Sequence, residues 1–421
     1  MKRRTLLTGA AGVAAAGVGA AVLWKPEDRG APHDAYFSRL NDLLKRDGPG
    51  HPVMLIDIEA MNHNIDQLAG SVGPEKTYRV VVKSLPSVPL LESVMRRAKT
   101  NSLMVFHQPF LNAVAESFPE ADTLLGKPMP VAAAENFYRK LAPSGFDPAA
   151  QVQWLIDTQD RLLQYQALAK RLGVHMRINV EIDVGLHRGG LPEPEALDAL
   201  LDTIRADPTH LSLAGFMGYE PHLTGMQASL EHPAVQSVLE IYQGFMDRAR
   251  QDGMDVGALT LNGAGSHTLR IYEKDGTMND LAAGSGVVKP TDFDTYHLND
   301  NRPALFIATP ILKRYDNLTM PGDSWMIDFL PWWNPNMRRL YFIYGGYWKA
   351  NVVSPPGVPD SLYHSTNQQP ITTSEAVDLQ VDDYIFLRPT QSEHVMLQFG
   401  DLLAVKDGQL TERWPVFHQT G

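Results

Sequence analysis

Beyond residue 34 the chain alternates short runs of Val, Ile and Leu with longer segments whose apolar side chains recur every three or four positions. Short apolar runs suit strands buried on both faces, and a period near 3.6 suits helices packed by one face. Strands are therefore predicted at 53–56, 79–82, 103–106, 123–125, 152–156, 177–182, 213–217 and 259–261. Helices are predicted between most of them, at 61–69, 90–99, 160–172, 195–206 and 234–252. Eight strands alternating with helices over about 210 residues predict an α/β fold, a (β/α)8 TIM-type barrel, whose active site lies at the strand C-termini.

After about residue 300 the texture changes. Prolines and aromatics cluster, as in Pro331-Trp332-Trp333 and over 341–348, and helical spacing stops. Short strands are predicted at 384–387, 394–397 and 402–405. The expected organisation is a barrel over 40–298 and a mostly-β C-terminal domain over 299–421.

The first 30 residues have a different character. Lys2, Arg3 and Arg4 precede residues 5–24, which carry no charge, and this is the layout of a basic region followed by the apolar core of an export signal. The paired arginines resemble a twin-arginine signal. About 20 apolar residues also suffice for a membrane anchor. Export to the periplasm is expected, with release and anchoring both open, and membrane contact is expected only through this segment. Residues 27–34 read as a linker.

Composition narrows the chemistry. The 421 residues are 44% hydrophobic, enough for a large core. With 37 Lys and Arg against 48 Asp and Glu the net charge is −11, which leaves no electrostatic footprint for nucleic acid. The absence of cysteine excludes disulfides, thiolate nucleophiles and zinc–thiolate sites.

Four positions fall at predicted strand ends. Lys83 closes Tyr78-Arg79-Val80-Val81-Val82-Lys83, beside apolar walls and near Arg79, the setting of an imine-forming nucleophile. A solvated lysine at a strand end is the plainer alternative. Glu181-Ile182-Asp183-Val184-Gly185-Leu186-His187-Arg188-Gly189-Gly190 leaves a strand into a glycine turn; Arg188 suits an oxyanion, or a bridge to Glu181 or Asp183. Tyr219 and His222 follow another strand, as acid/base groups or as packing and surface residues. Asn262-Gly263-Ala264-Gly265-Ser266-His267-Thr268 has the small residues and hydroxyls of a phosphate cradle, and Gly284-Ser285-Gly286 offers a second turn. A lysine on an early strand and an anion turn after the last strands together suit pyridoxal phosphate.

Arg79-x-x-x-Lys83, Glu181-x-Asp183-x-Gly185-x-x-Arg188-x-Gly190, Gly218-Tyr219 with His222, Gly263-Ala264-Gly265-Ser266 and Gly284-Ser285 occur in an order that resembles the fold-type III pyridoxal-phosphate enzymes. More narrowly, it resembles the D-threonine aldolase and D-serine dehydratase branch of the alanine racemase superfamily, over about residues 40–415. The resemblance implies that Lys83 carries the cofactor as a Schiff base and that Arg188 faces the pyridoxal O3′ oxygen. It further implies that Gly263, Gly265, Ser266 and Thr268 bind phosphate and that Tyr219 lines the ring. Arg79, Gly284 and Ser285 belong to the same implied cofactor site, and a homodimer is implied as well.

The chain departs from that branch where metal-dependent members carry a His-x-Cys or His-x-Asp pair after a Pro-x dipeptide. Here Pro389-Thr390 is followed by Gln391 and Glu393. An extended strand would place those two on one face and His394 on the other. No tight zinc site is expected; a loosely held Mg²⁺ or Mn²⁺ through Glu393 is the alternative to direct hydrogen-bonding and acid/base roles for Gln391 and Glu393.

The leading expectation is an exported pyridoxal-phosphate lyase for a D-amino acid, β-hydroxylated, acting by aldol cleavage or β-elimination. Its catalytic residues would be Lys83, Tyr219, Gln391 and Glu393. The alternatives are an amino-acid racemase or epimerase, and a non-catalytic periplasmic binding protein on the same fold.

Overall fold

The computed structural model describes residues 25–319 and 325–419, so most of the proposed signal lies outside the described residues. The described residues divide into two compact units, one built chiefly from residues 54–305, 389–406 and 411–419, the other from 25–53, 306–319, 325–388 and 407–410.

The larger unit contains the closed parallel barrel. After β1 (Val53–Asp57), its eight staves are β2 (Thr77–Val81), β3 (Ser102–Val105), β4 (Asp122–Leu125), β5 (Val152–Ile156), β6 (Met176–Glu181), β7 (Leu211–Met217), β8 (Thr260–Gly263) and β9 (Asp280–Ala283). The predicted eightfold count therefore holds with a different membership. The 53–56 run lies outside the barrel: β1 pairs in parallel with Leu402–Lys406, Met54 opposite Leu402. The eighth stave is β9, which closes the cylinder by pairing with both β8 and β2.

Helices fall close to their predicted places, at Ile58–Val72, Val88–Ala98, Gln159–Leu172, Leu197–Ala206 and Pro233–Gln251, and further ones occur at Ala35–Asp47, Gln108–Ser117 and Val131–Arg139. Their ends carry ordinary cap chemistry. Asp57 accepts the N–H of Ala60 at the start of Ile58–Val72, and Gly173 takes a left-handed φ of 65° after Gln159–Leu172.

Inside the barrel a polar layer replaces the usual aliphatic filling. Arg79 on β2 donates from Nε and Nη2 to Asp280 on β9 (2.9 and 2.7 Å) and from Nη1 to Asp122 on β4 (2.9 Å). Asn262 on β8 donates to the same Asp280 carboxylate at 2.6 Å. Gln153 on β5 donates to Asp122 and to Thr260, and accepts from Asn179 on β6. Because every member has partners on other staves, the layer fixes which strands adjoin.

The smaller unit is mostly β. β10 (Leu305–Tyr315) runs antiparallel to β11 (Arg339–Tyr344) and β14 (Tyr384–Pro389); β11 pairs with β13 (Gln368–Thr373), and β12 (Ala350–Ser354) lies beside β14. Two details differ from expectation. A helix, Met326–Trp333, spans Pro331-Trp332-Trp333, and residues 394–397 are not a strand, because Glu393–Met396 is a short helical turn.

Candidate active site

A cavity of about 520 Å³ opens at the C-terminal ends of β2, β3, β4, β7, β8 and β9, and all of its wall belongs to the larger unit. Of the residues singled out from sequence, it brings together Lys83, Arg188, Tyr219, Gly265, Ser266, Gly284, Ser285, Gln391 and Glu393.

Lys83 sits in a single 3-10 turn, Val82–Ser84, directly after β2. Val80, Val81 and Val82 are buried, whereas the lysine side chain stays partly exposed where it enters the cavity. Its Nζ lies 2.6 Å from Oε1 of Glu393 and 4.8 Å from the centroid of the Phe106 ring. Lys83 and Glu393 remain 39% and 36% exposed, so the amine is reachable from the cavity while it is paired.

Glu393 opens the turn Glu393–Met396, with Ser392 before it, so the shared strand face expected for Gln391 and Glu393 does not form. The segment is instead tied to the barrel at two points. Ser392 and Ser285 share a hydroxyl hydrogen bond of 2.9 Å, and Gln391 Nε2 donates to Asp292 Oδ2 at 2.6 Å. His394 is exposed and does not line the cavity. Among the described residues no cluster of three or more His, Asp or Glu side chains is placed to hold a metal ion.

The loop after β6 is shaped by Asp183. Its Oδ1 accepts the N–H groups of Gly185 and His187 at 3.0 and 2.9 Å, and its Oδ2 pairs with His187 Nδ1 at 2.8 Å. Gly190 is required here: φ is 95°, and a Cβ would stand 2.6 Å from the carbonyl carbon of Ile182. With Asp183 so used, Arg188 projects onto Tyr219, its guanidinium carbon 5.2 Å from the ring centroid. Burial raises the Glu181 carboxyl above its ordinary range, against the opposing charge of Arg188. Burial and the neighbouring Glu220 raise the Tyr219 phenol, Arg188 opposing them, so Tyr219 stands in the cavity as a neutral hydroxyl.

The two glycine turns meet through Ser266, whose Oγ accepts the N–H groups of Gly284 (3.1 Å) and Gly286 (3.0 Å). Ala264 holds a left-handed φ of 67°, a conformation unfavourable for a side-chain-bearing residue and frequent at functional sites. Among the described residues, the N–H groups of Ser266, His267 and Ser285 have no protein acceptor, and all three residues line the cavity. Donors left open at adjoining turns fit a phosphate group. Gly265 lies against Tyr219, where a Cβ would come within 2.9 Å of the ring.

Three residues expected at the cofactor stand elsewhere. Arg79 is buried inside the barrel, its guanidinium engaged by Asp280, Asp122 and the carbonyl of Leu103, and it does not reach the cavity. The Thr268 hydroxyl turns away, donating to Glu220 Oε1 at 2.5 Å and accepting from Gly265 N–H at 3.0 Å. Gly263 packs against Met278, which a Cβ would strike. His222 is likewise absent from the cavity wall; it faces Gly185, and burial lowers its pKa.

The structure adds residues that sequence reasoning gave no role. Phe106 and Ser84 flank Lys83, and His267 stacks on Phe293 at 4.2 Å with the rings 13° apart. Burial lowers the His267 imidazole despite the opposing charge of Asp292, which leaves a neutral ring on the wall. Glu220, completely buried behind the phosphate-type turn, is raised to about 7 by burial, against hydrogen bonds from Thr268 and the backbone. Its Oε2 has no hydrogen-bond partner.

Comparison with known proteins gives a consistent picture. Residues 56–287 match the alanine racemase N-terminal domain. Over 172 residues the chain is 24% identical to 3-hydroxy-D-aspartate aldolase of Paracoccus denitrificans, a match covering 39% of this chain and 44% of that enzyme. Its fold is similar to D-threonine aldolase from Filomicrobium marinum, with a TM-score of 0.68, 15% identity and coverage of 88% of this chain and 98% of the other. D-threo-3-hydroxyaspartate dehydratase from Delftia sp. HT23 gives 0.66 at 16% identity, covering 87% and 97%. Alanine racemase from Bacillus anthracis gives 0.65 at 15% identity, again covering 87% and 97%.

Proposed function

The chain belongs to the alanine racemase N-terminal domain family, within the fold-type III pyridoxal-phosphate superfamily, and from that premise we propose that it is a lyase for D-amino acids bearing a β-hydroxyl. The observation that carries the proposal is that Lys83 and the three acceptor-free N–H groups of Ser266, His267 and Ser285 line one cavity. When bound, pyridoxal phosphate supplies an electron sink that weakens the bonds at a substrate's α-carbon.

The roles of the chain's own groups follow from their positions. Lys83 Nζ would hold the cofactor through its aldehyde, and the Ser266, His267 and Ser285 amides would hold its phosphate. Arg188, fixed over the Tyr219 face, would offer positive charge to an oxyanion of the cofactor. Glu393, at 2.6 Å, takes a proton from Lys83 Nζ and returns it as the amine alternates between free and protonated forms. Gln391, anchored on Asp292, offers its amide oxygen to a hydroxylated substrate. The Gln391 and Glu393 pair does not fit a metal site, since one carboxylate already engages an ammonium and the other side chain is a neutral amide.

The full chain, purified and mixed with pyridoxal phosphate, is expected to show the visible band of the lysine-bound cofactor. Lys83→Ala is expected to lose it; retention of the band in that variant would overturn the assignment. A racemase is the second reading, favoured by Tyr219, a proton-bearing phenol in the same cavity. Single enantiomers incubated in D2O separate the two: a lyase releases aldehyde or ammonia, whereas a racemase yields both hands with exchanged α-hydrogen. Export of the folded protein and a homodimer complete the proposal, the first supported by Arg3, Arg4 and residues 5–24.

A further inference from the structure

The helix Met326–Trp333 has no buried residue, although seven of its eight side chains are apolar. Trp325, Phe329 and Trp332, spaced i, i+4 and i+7, share one face. Their rings follow one another at 5.3 and 5.8 Å, and the two tryptophans are 71% and 51% exposed. Asp328 flanks this aromatic strip. A contiguous exposed apolar strip of this kind marks a surface that meets something other than water.

Lys25 indicates what it meets. Its Nζ lies 4.9 Å from the centroid of the Trp332 ring. In sequence, Lys25 is the first charged residue after residues 5–24, and Trp24 precedes it. About 20 uncharged residues are enough to cross the hydrocarbon of a bilayer. Lys25, which follows this stretch in the sequence, therefore stands at the exposed aromatic helix. Trp and Lys are the side chains that settle at the level of lipid headgroups, the indole half in hydrocarbon and the ammonium reaching to water.

We propose that residues 325–333 form a bilayer-docking face, resting on lipid headgroups beside the point where the N-terminal apolar segment enters the membrane. The surface lies on the smaller unit and does not depend on the chemistry assigned to the barrel. A second copy of the chain and the apolar segment folded back on itself are the competing occupants.

The lack of cysteine allows a clean test in the full chain. Phe329→Cys is labelled with a polarity-sensitive dye and the protein reconstituted with vesicles of phosphatidylcholine and phosphatidylglycerol. Leu163→Cys, on the barrel helix Gln159–Leu172, is the control. The Phe329 label is expected to shift to shorter wavelength only with vesicles, and to be quenched severalfold more strongly than the control by lipid-borne spin label. Equal behaviour of the two labels overturns the proposal. A shift without vesicles overturns it too, in favour of a second copy if it grows with protein concentration and of the folded-back segment if it does not. Trp325→Cys repeats the measurement should circular dichroism show Phe329→Cys to be misfolded.

Discussion

The hydroxyl of Thr268 donates to Glu220 across 2.5 Å and accepts from the Gly265 amide, so a buried carboxyl is wired to the backbone of the phosphate-type turn. Burial raises Glu220 from 4.5 to about 7. Burial and the Glu220 charge raise the phenols of Tyr219, Tyr242 and Tyr272, which stay neutral, and among the described residues no cation offsets the burial of Glu220. A carboxyl raised in the folded state binds its proton more tightly there than in the unfolded chain. Its contribution is therefore most favourable below about 4.5 and declines as pH rises towards 7. Glu220→Gln keeps an acceptor for Thr268 and removes the ionisation. Denaturant titrations at pH 5 and pH 8 should show wild type losing on the order of 3 kcal/mol through this group, and the variant losing correspondingly less. Pyridoxal-phosphate affinity should likewise fall less above pH 7 in the variant, because no anion forms behind the turn.

The pair Lys83–Glu393 is expected to govern turnover rather than cofactor retention. Glu393→Gln leaves a hydrogen-bonding group at 2.6 Å from the amine but cannot take its proton. The visible cofactor band should persist while kcat falls about 100-fold, the usual scale for losing one acid/base group. A variant that loses the band and the activity together would assign Glu393 to holding the lysine in place.

Much of this arrangement was legible in the sequence, and the failures have physical causes. β5 forms over Val152–Ile156, where an apolar run interrupted only by Gln153 predicted it. The 53–56 run has the same signature, since burial on both faces gives the same pattern inside and outside a barrel. β9 was not predicted because Asp280-Leu281-Ala282-Ala283 has no β-branched residue. It is a strand through its pairing with β2 and β8 and through Asp280 meeting Arg79, which no local pattern reveals. Lys83, Arg188 and the Ser266 turn stood out because they follow predicted strands, where a barrel gathers its active site, and because their order along the chain resembles that of the pyridoxal-phosphate enzymes. Glu220 and Arg79 were not assigned their places because the direction of a side chain depends on partners far away in the chain.

Arg79 offers a direct test of structure against cofactor binding. Its guanidinium joins β2 to β9 through Asp280 and reaches β4 through Asp122. Removing one side of such a buried network leaves carboxylates without their partner, at a cost of about 3–5 kcal/mol. Arg79→Met should lower the denaturation midpoint accordingly, while the protein that remains folded shows an unaltered pyridoxal-phosphate dissociation constant. A weakened dissociation constant at unchanged stability would return Arg79 to the cofactor site.

Gly284 supplies the last prediction. A Cβ there would stand 2.8 Å from Cβ of both Val81 and Ser84 and 2.9 Å from the carbonyl oxygen of Val81. These atoms belong to the end of β2 and to the turn that carries Lys83, so they cannot yield by rotating a flexible side chain. Gly284→Ala must displace that turn relative to the Ser266 cradle, to which Gly284 is bonded through its own N–H. Overpacking of this kind costs about 1–3 kcal/mol. The variant should fold with a lowered thermal midpoint, and its affinity for pyridoxal phosphate should fall more than its affinity for inorganic phosphate, because the amine is moved while the acceptor-free amides remain. Equal losses for both ligands would mean that the cradle itself collapses, and that the spacing between Lys83 and the anion site is not what Gly284 maintains.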